Sequence, residues 1–315
     1  MKTTTCLTIL TALSCALPLV AQRGGGGGTA PQVLLATVGG PAGKLVKMAA
    51  DGSSQQILTS FDVFAPSWTT PTFPGGQRIL FTSSVQGAGV YRLDADGSNL
   101  TKLAALFSAP WRKPVASPVV TPTGSFEIVV EELASSNVPP ALYAMKADGS
   151  GLHPLAASAT VGYSSPSWLP SGHALIALRG FDIVRLDLGV GLANELVVVA
   201  ETALSLPTNL AGADKTGTLD VSPNGILVVF QALVGSTRNL WVTPIANPAA
   251  AWQVTNNANN NRNPEFDPTS TYVYYQAQPK VNNLYRTRVD GSGTPTALTN
   301  AKNWTSAFHW PSLAH

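Results

Sequence analysis

The sequence predicts an all-β protein, a six-bladed β-propeller of four-stranded antiparallel blades, and two observations lead to this expectation. The first is composition: 44% of the 315 residues are apolar, only 11% are charged, and the chain contains 28 Gly and 24 Pro. Such a balance favours short strands joined by turns over long helices or disorder. The second is an internal repeat with a period of about 46 residues, a length that suits four short strands.

Two elements recur in this repeat. The pair Asp-Gly appears at Asp51, Asp96, Asp148 and Asp290, each time after an apolar alternating run such as VYRL or LYAM. Asp-Gly favours a tight turn between two strands, because Gly accepts positive φ and the Asp side chain bonds nearby amides. The second element is a Pro-containing turn between two apolar strands, as in SPSWLPSGHALIALRG. Four antiparallel strands per unit are typical of a propeller blade.

The two ends of the chain are predicted to share one blade. The first strands of the units begin near Ala65, Val115, Pro166, Thr218, Pro264 and Ala307. The last unit stops before its second strand, whereas residues 32–40 form an apolar strand without a preceding partner. We therefore expect residues 307–310 to supply the inner strand of a closing blade, next to the N-terminal strand. Such pairing removes two exposed sheet edges.

The N-terminus has the form of a secretory signal peptide. In residues 1–21, Lys2 precedes an uncharged apolar stretch that ends at the small residue Ala21. Residues 22–31 are a Gly-rich flexible linker, and residues 32–315 the propeller. Both cysteines, Cys6 and Cys15, lie in the signal segment, so the mature chain has no disulfide. The predicted location is periplasmic or extracellular, with a lipid anchor on Cys15 as the alternative.

Charge and motifs exclude several function classes. Nineteen basic and 17 acidic residues leave a net charge of +2, which is unlike a nucleic-acid-binding surface or a polybasic membrane patch. The chain lacks a GxSxG elbow and an HExxH motif, and its four His show no metal-ligand spacing. We predict no cofactor, no metal, no transmembrane span and a monomer.

The units SPSWLPSGHALIALRG and LYAMKADGSGLHPLA resemble the repeat of the TolB-type, WD-repeat-like β-propeller family. The resemblance covers the propeller part only, residues 32–315, without the N-terminal α/β domain of TolB. It implies an exported propeller. In TolB the propeller binds a peptidoglycan-associated lipoprotein, so the resemblance also implies a protein or peptide partner in the cell envelope.

The connections that enter the inner strands and those that join second to third strands lie on one face of a propeller, here called the funnel face. We expect the binding residues on this face. Ligands usually meet this face of a propeller. Aromatic rings beside cations suit a sugar, a peptide or a carboxylate, and amides suit polar ligands; loop packing and surface turns are the alternatives. The candidates are Trp111, Arg112, Lys113, Asp214, Arg262, Asn263, Lys302, Asn303 and Trp304. Trp68, Trp168 and Trp310 share one repeat position and are expected in the core.

Three functions fit these features. The leading hypothesis is an exported, non-catalytic binding or scaffold propeller that engages an envelope protein or peptide through its funnel face. The alternative is a polysaccharide lyase or glycoside hydrolase that acts on carbohydrate in the central funnel, with candidates Glu131, Asp214, Arg112 and Lys113. The third is a structural spacer without a small-molecule ligand.

Overall fold

The computed structural model describes residues 33–38, 43–105, 113–133, 138–277, 283–299 and 304–305, with backbone alone for 33–38 and 304–305. The predicted signal peptide, residues 1–21, and linker, residues 22–31, lie outside the described residues. The strands, in chain order, are β1 (Val33–Val38), β2 (Lys44–Ala49), β3 (Gln56–Ile57), β4 (Phe64–Trp68), β5 (Arg78–Ser83), β6 (Gly89–Asp94), β7 (Thr101–Ala105), β8 (Val115–Ala116), β9 (Glu127–Glu132), β10 (Ala141–Lys146), β11 (His153–Ala156), β12 (Tyr163–Trp168), β13 (Ala174–Arg179), β14 (Asp182–Val190), β15 (Leu196–Ala203), β16 (Leu219–Val221), β17 (Leu227–Val234), β18 (Thr237–Pro244), β19 (Trp252–Gln253), β20 (Arg262–Phe266), β21 (Tyr272–Ala277), β22 (Asn283–Arg288), β23 (Thr296–Ala297) and β24 (Trp304–Thr305). A 3-10 helix, Pro248–Ala250, precedes β19.

Five antiparallel blades, among the described residues, are each built from four consecutive strands. They are β4 to β7, β8 to β11, β12 to β15, β16 to β19 and β20 to β23, numbered here blades 1 to 5. The first strand of each blade is the inner one, and neighbouring inner strands contact one another around the axis. The turns between first and second strands form the turn face, which is opposite the funnel face.

The prediction of six blades is wrong: the described residues form five blades of four consecutive strands. A further four-stranded sheet, here called the composite sheet, has the order β24-β1-β2-β3 and contains strands from both ends of the chain. Its closing strand is Trp304–Thr305, paired with Val38 and Thr37; the predicted strand at residues 307–310 lies outside the described residues. In the repeat, pairing of a first strand starts before the shared tryptophan position. In blade 1, for example, Phe64 already pairs with Thr82, four residues before Trp68.

Apolar side chains close the ring between the composite sheet and blade 5. Val46 and Met48 of β2 pack with Tyr274 and Leu284 of blade 5 in one buried cluster. The Tyr274 hydroxyl also donates a hydrogen bond to the Ala50 carbonyl at 3.3 Å. Each other pair of neighbouring sheets shares a similar cluster in the described part of the chain. The core therefore lies between the sheets, where side chains of adjacent blades interdigitate.

The repeated Asp-Gly turns connect two strands of one sheet and also contact the preceding blade. Each Asp accepts a backbone N–H from the Ser two residues on, at 2.9 Å, which fixes the turn. The glycine then lies directly against the outer strand of the preceding blade. A Cβ on Gly149 would lie 2.1 Å from the Leu103 carbonyl oxygen, and a Cβ on Gly52 equally close to that of Leu298. Glycine is therefore required by the contact between blades as well as by its positive φ.

Candidate binding site on the propeller axis

A cavity of about 460 Å³ lies on the axis of the propeller. The inner strands of all five continuous blades line it, together with the turns that follow these strands. Its lining residues come from the C-terminal ends of the inner strands, so the cavity lies toward the turn face. A concave, largely apolar space of this size is typical of a ligand site.

The cavity wall is built from one repeat position. Trp68, Ala116, Trp168, Val221 and Phe266 each pair with the second strand of their own blade at the same place in the ladder. All five line the cavity. Trp68 and Trp168 are 4% and 8% exposed, so the prediction that they are buried is confirmed, and they also form the wall of the axial space.

The preceding position of the repeat is polar in most blades. It holds Ser67, Val115, Ser167, Asp220 and Glu265 in blades 1 to 5. The Ser167 hydroxyl donates to Asp220 at 3.0 Å, and the backbone N–H of Phe266 donates to the other oxygen of Asp220 at 3.0 Å. These bonds hold the Asp220 carboxylate between the inner strands of three blades.

An ion pair between Lys113 and Glu265 crosses the axis. Lys113 lies two residues before the inner strand of blade 2, whereas Glu265 belongs to blade 5, and two sheets separate them on either side of the ring. The two side chains are only 14% and 6% exposed. Because Lys113 lies on the funnel side of Val115, the pair closes the cavity on that side.

Burial raises the pKa values of the two carboxyl groups in the cluster formed by Lys113, Asp220 and Glu265. The pKa of Glu265 is raised to about 8, mainly by removal from water; the nearby Asp220 charge contributes to the rise, and Lys113 opposes it. Burial also raises the pKa of Asp220, against the effects of Lys113 and the hydrogen bonds from Phe266 and Ser167. At neutral pH Glu265 therefore holds a proton, and its contact with Lys113 becomes an ion pair as the pH rises past about 8. Asp220, when ionised, balances the charge of Lys113.

The raised pKa of Glu265 predicts how stability depends on pH. The unfolded chain releases this proton near pH 4.5 and the folded chain only near pH 8, so the free energy of unfolding falls as pH rises between these values. We expect Glu265→Gln to flatten this slope in denaturant unfolding curves at pH 5, 6.5 and 8. Glu201→Gln, at a surface ion pair with Arg179, is the control and should keep the wild-type slope. An unchanged slope in Glu265→Gln would contradict the assignment.

The structure locates four of the predicted site residues with their side chains. Lys113 lines the cavity. Asp214 forms an ion pair with Arg238 at 2.8 Å and accepts the Thr216 N–H at 2.7 Å. Arg262 and Asn263 lie at the start of β20, where Arg262 donates to Asn260 at 3.2 Å and Asn263 donates to Gln276 at 3.1 Å. Asp214, Arg262 and Asn263 do not line the cavity.

Five other predicted site residues lie outside the part of the chain that is described with side chains. Trp111, Arg112, Lys302 and Asn303 lie outside the described residues, and Trp304 is described by its backbone alone. Glu131, a candidate for the enzymatic alternative, is described: it is buried and accepts the backbone N–H of Ser165 at 2.8 Å.

Sequence analysis missed Asp220, Glu265 and Ser167 as a group. A signal was present, since the residue before Trp68 and Trp168 is Ser, whereas the same position in the next two units is Asp220 and Glu265. A polar position that becomes acidic inside an apolar strand points to a functional or ion-paired site. Comparison of the units position by position reveals this change.

Two negative observations apply to the described part of the chain. It contains no group of three or more His, Cys, Asp or Glu side chains placed to hold a metal ion. Within the same residues, no helix has the length and apolar character needed to cross a membrane.

Fold and site together define a β-propeller with an apolar axial cavity closed by a buried ion pair. The structure is similar to TolB from Acinetobacter baumannii, with TM-score 0.64 and 16% identity, over 89% of this chain and 66% of that one. A chain of a nidogen/laminin complex matches with TM-score 0.61 and 10% identity, over 90% and 99%.

A luciferin-regenerating enzyme matches with TM-score 0.55 and 10% identity, over 86% of this chain and 88% of that one. Neither a protein-family model nor a curated protein sequence matches the chain. At these identities the similarities establish the propeller fold alone. This chain spans 66% of the length of the A. baumannii TolB chain.

Proposed function

We propose that this chain is an exported, non-catalytic binding propeller that takes up a segment of a protein partner of the cell envelope in its axial cavity. The observation that carries the proposal is the cavity of about 460 Å³, walled by Trp68, Trp168 and Phe266 and closed at one side by Lys113 and Glu265. Aromatic walls with a few fixed polar groups suit an anchoring side chain of a peptide. Export and the envelope partner rest on the signal segment and the TolB resemblance.

Two further observations support binding over catalysis. Asp214 and Glu131, two candidates for acid-base work, are engaged by Arg238 and by the Ser165 N–H instead of facing the cavity. The fold also occurs in a nidogen/laminin complex, an assembly of two proteins. A binding role needs only the shape and polarity of the cavity.

The test is selection of peptides from a displayed random library against the mature protein. Ala116→Trp is the blocking variant, because Ala116 occupies the position at which blades 1 and 3 carry Trp68 and Trp168, and a ring there fills the cavity. Ile57→Trp, on an outer strand and 64% exposed, is the control. We expect peptides that bind the wild type and Ile57→Trp with equal affinity and lose about tenfold or more on Ala116→Trp.

If no selected peptide distinguishes Ala116→Trp from Ile57→Trp, while both variants melt at the wild-type temperature, the cavity is not the binding site.

A second candidate, glycoside hydrolysis or lyase chemistry, is favoured by one observation. Glu265 has a pKa raised to about 8, so it holds a proton at neutral pH as a general acid must, and Asp220 lies beside it. Turnover of a glycan panel by wild type and Glu265→Gln separates the two functions. Activity that Glu265→Gln abolishes would replace the binding proposal, and blank traces from both proteins would dismiss the enzyme.

A further inference from the structure

The charged groups around the cavity do not balance when all are ionised. Among the described lining residues, the charged side chains are Lys113, Asp220 and Glu265. Among these described residues, two carboxylates against one ammonium leave one negative charge in excess. An uncompensated buried charge is costly, so a proton or another cation must neutralise it.

The hydrogen bonds of the cluster leave acceptor capacity toward the cavity. Asp220 accepts one bond from Ser167 and one from the Phe266 N–H, and Glu265 accepts from Lys113 through one oxygen, Oε1. A carboxylate can accept about four hydrogen bonds. Asp220 is also only partly buried, and it lines the cavity. A ligand cation can therefore reach both carboxylates without displacing Lys113.

The walls suit the same kind of ligand. Trp68, Trp168 and Phe266 line the cavity between the turn face and the carboxylates and are 4%, 8% and 3% exposed, so a ligand would contact the exposed edges of these apolar rings. Arginine and lysine combine an apolar stem with a charged end. Their stem can pack against the apolar wall of the cavity, and their charged end can bind the carboxyl groups of Asp220 and Glu265.

We propose that the partner segment inserts a basic side chain, arginine or lysine, into the axial cavity, with its charged end at Asp220 and Glu265 and its stem against Trp68 and Trp168. This inference rests on the proposed function, which requires only that some segment binds in the cavity. The positive charge of the inserted side chain then neutralises the excess negative charge, as the proton on Glu265 does before binding. Binding at pH 7 should therefore release a proton from Glu265 and become tighter as pH rises from 6 to 8.

The first test uses the peptides selected for cavity-dependent binding. We expect them to share one arginine or lysine position, and replacement of that residue by citrulline or norleucine, which removes the charge and keeps the stem, should weaken binding to wild type about tenfold or more. Cavity-dependent peptides without a shared basic residue, or with unchanged affinity after the replacement, overturn this inference and leave the proposed function standing. The absence of any cavity-dependent peptide is the failure of the proposed function.

The second test measures the proton. Calorimetric titration of wild type with a selected peptide in phosphate and in Tris at pH 7 should give different heats, corresponding to about one proton released per peptide. Glu265→Gln should bind the same peptide through Asp220 with equal heats in the two buffers. Equal heats with the wild-type protein overturn the contact between the basic side chain and Glu265.

Discussion

Replacement of Lys113 by methionine is expected to lower the free energy of unfolding by about 3 to 5 kcal/mol at pH 8. Methionine keeps the length of the side chain but removes the positive charge that faces Glu265 across the axis. Without this cation the pKa values of both Glu265 and Asp220 rise further, so each carboxyl must stay charged in a buried space or bind a proton. At pH 5 the loss should be smaller, because binding a proton costs less free energy there than at pH 8. Denaturant unfolding at the two pH values measures both quantities.

The control for this variant is Lys44→Met. Lys44 pairs with Asp62 at 3.0 Å, but the two side chains are 38% and 56% exposed, so its loss should stay within about 1 kcal/mol at both pH values. The double variant Lys113→Met/Glu265→Gln should regain part of the stability lost at pH 8. If Lys113→Met behaves like Lys44→Met at both pH values, the ion pair across the axis does not exist in solution.

Gly149→Ala is expected to destabilise the propeller by about 2 kcal/mol or more beyond the cost of its backbone conformation. The new Cβ would lie 2.1 Å from the Leu103 carbonyl oxygen and 2.6 Å from its carbon. Backbone atoms of a neighbouring blade cannot rotate away as a side chain does. The Asp-Gly turn must therefore separate from the preceding blade, with loss of packing between the two sheets.

Gly124→Ala is a matched control for this prediction. Gly124 has φ +79° and Gly149 has φ +89°, so the conformational strain of alanine is comparable, but a Cβ at Gly124 meets nothing within 4 Å. The difference between the two melting temperatures isolates the contact between blades. Equal losses would show that Gly149 is needed for its turn conformation alone.

The propeller could be predicted because its repeat consists of short sequence patterns that determine local structure. Asp-Gly turns such as Asp148-Gly149 and the strand before each of them are short-range patterns, and the structure has both in the predicted places. The closing strand was less predictable. The predicted strand at residues 307–310 lies outside the described residues, and the described closing pair is Thr305 with Thr37, slightly earlier in the chain.

The axial site could not be derived in the same way. Lys113 and Glu265 are 152 residues apart in sequence and meet only because their blades face each other across the ring. The prediction favoured the funnel face because its loops are long and polar, and it did select Lys113 there. Trp68 and Trp168 were assigned to the core by their repetition, but repetition around a ring also places equivalent residues around one central space.

A crystal structure of the chain with one selected peptide tests the central claim most directly. The account predicts a peptide side chain inside the axial cavity, between Trp68 and Trp168, that enters from the turn face and stops at the Lys113 and Glu265 pair. A peptide held by the funnel-face loops or by an outer strand, with the cavity unfilled, would contradict it.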